Sequence, residues 1–311
     1  MSEDRAPHEI DDLLARQMTR RSVLRAGIGA AGLAATPSLL AACGGDDEGG
    51  TLKELREAGV VRMGTPSNMP SSGIRGGRAV GIFPEMGALV FKELDVPKVE
   101  PVDMEFGAQI PSLQAGRIDA GAGGLYVLPE RCRAITFSDP LLGYLEAMAV
   151  PRGNPEGIRT YEDVAKKGLS FGVIAATAEI PLGEAAGIEA DKFQKYPDLP
   201  AMLDALTAGR IDAASFDSIT ITYFVNLPAN RDRLDATEPY APKNEQGQRT
   251  ISFASMGFPR GQEDLAKEFN KAAKSLRDQG AFDPIFKKWG VPQLSVTSLR
   301  QANLSKLCEG G

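Results

Sequence analysis

The sequence predicts an α/β fold made of two related lobes, and three observations lead there. From Thr51 onward, short apolar stretches alternate with segments of helical period. The stretches are bounded by Gly, Pro or a helix-start signal. Ala115-Gly116-Arg117-Ile118-Asp119-Ala120 recurs as Ala208-Gly209-Arg210-Ile211-Asp212-Ala213, each copy after an amphipathic helix with a Pro near its start, Pro111 or Pro200. That spacing is too long for a solenoid repeat and suits one unit per lobe, in which a helix ends on a Gly cap and Asp turns the chain into a strand. The 311 residues and 42% hydrophobic content can fill two modest cores without staples.

The elements follow in order. Within residues 1–42, Thr19-Arg20-Arg21-Ser22-Val23-Leu24-Arg25 precedes a Gly/Ala-rich apolar run over 26–42. The arginine pair resembles a twin-arginine export signal, with Val23 and Arg25 in place of the usual Phe and Lys. Leu40-Ala41-Ala42-Cys43 resembles a bacterial lipobox, in which the chain is cut before a cysteine that is then acylated. A transmembrane anchor is the alternative reading, but about 17 residues is the short limit of a span, and this run holds Pro37 and several Gly. Residues 43–50 read as a flexible Gly/Asp tether. An extracytoplasmic protein, lipid-anchored through Cys43 to the outer face of the cell membrane, is expected.

Val60-Val61-Arg62-Met63-Gly64 reads as a strand, and 83–94 as a helix with Phe83, Met86, Leu89, Val90 and Leu94 on one face. Further strands are predicted at 118–122, 147–151, 170–174, 211–215 and 251–256, and helices at 265–276 and 282–289. The tail after Pro292 shows no helix of its own.

Composition excludes several function classes. Net charge is −6 and no run of Lys and Arg follows the first twenty-five residues, so no nucleic-acid partner is expected. The single histidine, His8, lies in the export signal, which leaves the mature chain without any Ser-His, Cys-His or His-zinc arrangement. Cys43, Cys132 and Cys308 show no CxxC spacing, so neither a metal site nor a cofactor is predicted.

Several motifs then carry a resemblance: Pro111-Ser112-Leu113-Gln114-Ala115-Gly116-Arg117-Ile118-Asp119, Pro129-Glu130-Arg131, Phe137-Ser138-Asp139-Pro140, Tyr161-Glu162-Asp163-Val164, the second AGRIDA and Phe286-Lys287-Lys288-Trp289. With them the mature chain, over about 52–292, resembles the bacterial extracellular solute-binding proteins of the polar amino-acid type. Met104-Glu105-Phe106-Gly107-Ala108-Gln109-Ile110-Pro111, Tyr126 and Pro129-Glu130-Arg131-Cys132 are most similar to the ectoine-binding branch. The resemblance implies a two-lobed periplasmic-binding-protein fold of type II with two crossing hinge strands. Lobe 1 would be discontinuous, 51–149 plus 252–311, and lobe 2 would span 150–251. It also implies a monomer that binds a small zwitterion and delivers it to the permease subunits of an ABC importer.

In that cleft a zwitterion needs its two charges met separately, because an unpaired buried charge costs several kcal/mol. Arg131 stands where the family binds carboxylate, and its guanidinium fits a carboxylate as a two-pronged fork. Asp217, five residues after Asp212, stands where amino-acid binders hold the α-ammonium; a bare N-cap before 218–225 is the other reading. Thr177 is expected at a helix start, offering hydroxyl and backbone N–H to the carboxylate, with Ala176 in place of the usual Gly. Phe106 and Tyr126 match side chains that pack on the ligand, although such aromatics are more often core. Gly124 lets backbone approach, and Asn68 replaces the aromatic or acid of the opposite wall, followed by Ser71 where ectoine binders carry an aromatic.

Two rivals remain: a dehydratase-like cleft enzyme using Glu105, Glu146 or Asp217 as general acid, and a sensor-coupled receptor. An oxidising compartment and two thiols left after acylation suggest a Cys132–Cys308 disulfide, with two unpaired cysteines as the alternative.

Overall fold

The structure, a computed structural model, describes residues 51–244 and 247–309. The expected export signal, Cys43 and the expected tether lie outside the described residues. The first sheet runs Lys98–Met104, Val60–Pro66, Ala120–Tyr126, Ser252–Phe258 and Thr136–Phe137, with Leu142–Tyr144 also paired to Ser252–Phe258. Its first three strands are parallel, and Ser252–Phe258 joins them antiparallel. The helices Ile82–Glu93 and Glu263–Asp278 bury one face on this sheet, where Phe91, Phe258 and Phe269 meet edge to face. The second sheet runs Phe193–Tyr196, Phe171–Ile174, Ala213–Asp217, Glu146–Pro151 and Leu234–Ala236. Glu146–Pro151 pairs entirely in this second sheet, so the chain leaves the first one at Leu145 and returns at Ser252.

The repeated hexapeptide builds the same junction in each sheet. Gly116 and Gly209 adopt left-handed φ of 61° and 68°. The next N–H closes the helix end in both copies, Arg117 onto Ser112 and Arg210 onto Ala205. Asp119 then accepts from the Arg62 amide at 2.8 Å, and Asp212 from the Ser170 amide at 2.8 Å, which ties each new strand to its parallel neighbour. Ile118 and Ile211 are buried over Gly64 and Gly172 of those neighbours, where any side chain would collide with them. The strands consequently begin at Ala120 and Ala213, two residues after the predicted starts, because Ile and Asp are used in the anchor.

Other expectations are corrected. Lys98–Met104 and Phe193–Tyr196 are strands the apolar pattern did not predict; both lie at sheet edges, and the first tolerates Pro101 for that reason. The tail does form helices, Gln293–Thr297 and Leu304–Glu309, with a 3-10 turn at Ser298–Gln301 between them. Each is too short to show a period, but Asn303 accepting from the Lys306 amide at 2.9 Å is a readable start signal. Cys308 on the last helix is bonded to Cys132, with Cα atoms 5.6 Å apart, and this seats the tail beside the helix Pro129–Ala134 that carries Arg131.

Candidate functional site

A cavity forms where the C-terminal ends of Ala120–Tyr126 and Ala213–Asp217 come together, one from each sheet. Its volume is ≈ 10 Å³, about the room one water needs. Arg131, 6% exposed, reaches it from the helix after Ala120–Tyr126. Its Nη1 donates to the Tyr126 carbonyl at 3.1 Å and its Nη2 to the Ala176 carbonyl at 2.8 Å, so the guanidinium bridges segments attached to the two sheets. The Phe106 ring centroid lies 5.8 Å from the guanidinium carbon, within range of cation–π attraction. Burial lowers the guanidinium pKa, opposed by the field of Glu179.

Asp217 faces the same cavity at the end of its strand, 3% exposed. It also caps the helix Ser218–Val225, with Oδ1 accepting from the Thr220 amide at 2.9 Å, as the N-cap reading expects. Burial pushes its carboxyl up to about 7, against the downward pull of the Thr220 hydrogen bonds.

Tyr126 lines the cavity, and its hydroxyl donates to Glu146 Oε1 at 3.0 Å. Gly124 has φ +73°, and a Cβ there would strike the Phe83 ring. Ala176 takes φ +63°, a left-handed conformation that costs an Ala about 1–2 kcal/mol and that aims its carbonyl at Arg131. Thr177 lines the cavity but does not start a helix: Glu179–Ala185 begins two residues later, and the Thr177 hydroxyl donates to the Ile174 carbonyl at 2.8 Å. Asn68 is buried and donates to the Gly123 carbonyl at 3.1 Å; it lines a neighbouring cavity of ≈ 340 Å³ that shares Phe106 with the first.

Sequence reasoning missed Glu179, Tyr144 and Phe216, which also line the cavity, and considered Glu146 only as a general acid. Glu179 is 2% exposed and its Oε2 has no hydrogen-bond partner among the described residues. A Glu in the first turn of a helix reads as an ordinary dipole complement, so its burial carried no signal. Glu146 did carry one, as the lone acid in the apolar run 141–150. Burial holds the carboxyls of Glu146 and Glu179 above the ordinary range, with the field of Glu179 adding to the rise at Glu146.

Comparison with known proteins places this geometry in context. The family model described as bacterial extracellular solute-binding proteins, family 3, matches residues 61–292. The lysine/arginine/ornithine-binding periplasmic protein of Escherichia coli (strain K12) is 30% identical over 74% of this chain and 87% of its own length. A probable amino-acid ABC transporter periplasmic-binding protein, y4tE of Sinorhizobium fredii, is 26% identical over 83% of this chain and 86% of its own. The crystal structure of EhuB in complex with hydroxyectoine superposes with a TM-score of 0.73 at 30% identity, covering 84% of this chain and 98% of that one.

Proposed function

From the premise that the chain belongs to the bacterial extracellular solute-binding proteins of family 3, we propose that it is the lipid-anchored receptor of an ABC importer for a zwitterion, an amino acid or an ectoine-like solute. One observation carries the reading: Arg131 and Asp217, attached to different sheets, line a single buried cavity. Arg131 takes the carboxylate and Asp217 the ammonium, while Phe106 and Tyr126 pack on the ligand between them. An amino acid cannot enter ≈ 10 Å³, so the lobes part to admit it and close on it. Closure is then favoured by ligands that hold both charges, because they bind the closed form better than the open one.

A melting screen of amino acids, ectoines and betaines tests this. A ligand at 100 times its Kd adds about 2.7 kcal/mol, worth several degrees in a chain of this size. Hits are expected to carry both a carboxylate and a cationic nitrogen; hits lacking either charge overturn the reading. The buried acid at Asp217 is the observation that favours the enzyme alternative. Mass spectrometry of the bound ligand decides it, and recovery of an altered molecule would establish turnover.

Twin-arginine export and acylation at Cys43 complete the proposal. Cys43→Ser is expected to move the protein from the detergent phase to the aqueous phase on Triton X-114 partitioning. Unchanged partitioning would remove the lipid anchor.

A further inference from the structure

The two lobes also meet outside the cavity. The helix Ser218–Val225, whose N-cap is Asp217, rests on Glu146–Pro151 and Ala213–Asp217 of the second sheet. Two of its residues three apart, and so on one face, reach the first lobe. The buried Thr220 hydroxyl lies 3.3 Å from Ser71 Oγ, which itself lies 3.2 Å from the Tyr144 hydroxyl. Further out, the Tyr223 hydroxyl accepts from Arg75 Nη2 at 3.0 Å. Ser71 and Tyr144 line the ligand cavity, whereas Arg75 and Tyr223 do not.

The local sequence explains why Arg75 reaches outward. It stands on a two-stranded ribbon, Gly73–Arg75 and Arg78–Val80, turned by Gly76 and Gly77 at left-handed φ of 56° and 72°. The register sets Arg75 opposite Arg78, a like-charge pair that destabilises the ribbon taken alone. Neither arginine forms an ion pair among the described residues, and a phenol across the cleft takes the Arg75 side chain instead. The base of the ribbon is fixed to the first lobe, where the Ile82 and Phe83 amides donate to the Pro70 and Ser71 carbonyls at 2.8 and 3.1 Å.

We propose that this ribbon is a latch: Arg75 grips Tyr223 when the lobes close and sets how long a ligand stays, without touching it. The inference rests on the closure reading above. The contact needs the two lobes together, so it favours the closed form over the open one by the same amount whatever is bound inside. It tunes retention and leaves selectivity to Arg131, Asp217 and the aromatic wall. The helix that meets the ligand ammonium at its N-cap thus carries the latch two turns further on. A guanidinium on a phenol at the surface is a modest bond, which sets the effect at about threefold to tenfold in retention.

Arg75→Ala, Tyr223→Phe and the double variant test the latch. Arg75 is exposed and Tyr223→Phe removes only a hydroxyl, so all three are expected to fold as the wild type does. Dissociation of L-arginine, L-glutamine, ectoine and hydroxyectoine is followed by stopped flow through the fluorescence of the cavity tyrosines, Tyr126 and Tyr144. Each single variant is expected to raise the dissociation rate about threefold to tenfold, by the same factor for every probe that binds. The double variant should go no further, since either change breaks the one bond. Unchanged rates, factors that differ between probes, or effects that add in the double variant would overturn the latch and leave the zwitterion reading intact. Absence of binding by all four probes would count against the zwitterion reading, and small-angle X-ray scattering of the unliganded chain then decides the latch. A larger radius of gyration in Arg75→Ala than in the wild type supports it; equal radii overturn it.

Discussion

Arg131→Ala is expected to weaken binding of the best ligand from the screen by about 2–5 kcal/mol, roughly 30-fold to several thousand-fold. The guanidinium is 6% exposed, so a carboxylate that docks there has left water behind and has no other cation lining the cavity among the described residues. Removing the fork leaves that charge buried and unpaired, which costs more than the hydrogen bonds themselves. It also leaves the carbonyls of Tyr126 and Ala176 without their donors, each about 1–3 kcal/mol if water does not replace the guanidinium. The variant should therefore melt lower as well as bind more weakly. Arg131→Lys keeps the charge but cannot reach both carbonyls and a carboxylate at once, and an intermediate loss is expected. Titration calorimetry on the two variants reads the result; affinity unchanged in both would remove Arg131 from the site.

Asp217→Asn should separate binding from stability. Asn caps a helix as well as Asp does, so the Thr220 amide keeps an acceptor and the helix Ser218–Val225 keeps its start. The counter-charge for the ammonium is lost, and affinity should fall on the order of 2–5 kcal/mol, as for one partner of a buried charged pair. Unliganded stability should move the other way. A carboxyl raised on folding from 3.8 to about 7 binds its proton more tightly in the folded chain. Stability therefore falls as pH climbs from about 4 to about 7, and at pH 8 this burial costs about 4 kcal/mol at most. Asn escapes that cost, so the variant should melt at or above wild type at pH 8 and show little difference at pH 4. In the wild type, ligand affinity should weaken below about pH 7 as Asp217 takes its proton. A variant that binds the ligand as tightly as wild type would leave Asp217 a cap and nothing more.

Much of the fold can be read from the chain because its signals are local. The face of Ile82–Glu93 repeats Phe83, Met86 and Val90 at helical spacing, and the two AGRIDA copies each carry a complete cap, anchor and strand start. Edge strands and the tail helices could not be read the same way. They expose much of their surface or run for one or two turns, and their conformation is set by what they pack against.

The site divides along the same line. Arg131, Asp217, Phe106, Tyr126, Gly124 and Thr177 could be named because the motifs around them resemble those of the family, and all six line the cavity. Asn68 carries a similar mark yet turns to the Gly123 carbonyl and a neighbouring space. Glu179 has no mark at all. By itself, then, the sequence determined the α/β elements, the duplicated junction and the charged pair expected to meet a zwitterion. Only the tertiary structure decided that Glu179 lines the cavity and that Glu146 is buried behind Tyr126, since a carboxyl's burial depends on which distant segments close over it. Local pattern encodes which way a side chain points from its own element, whereas charge balance is a property of the elements the crossing strands bring together.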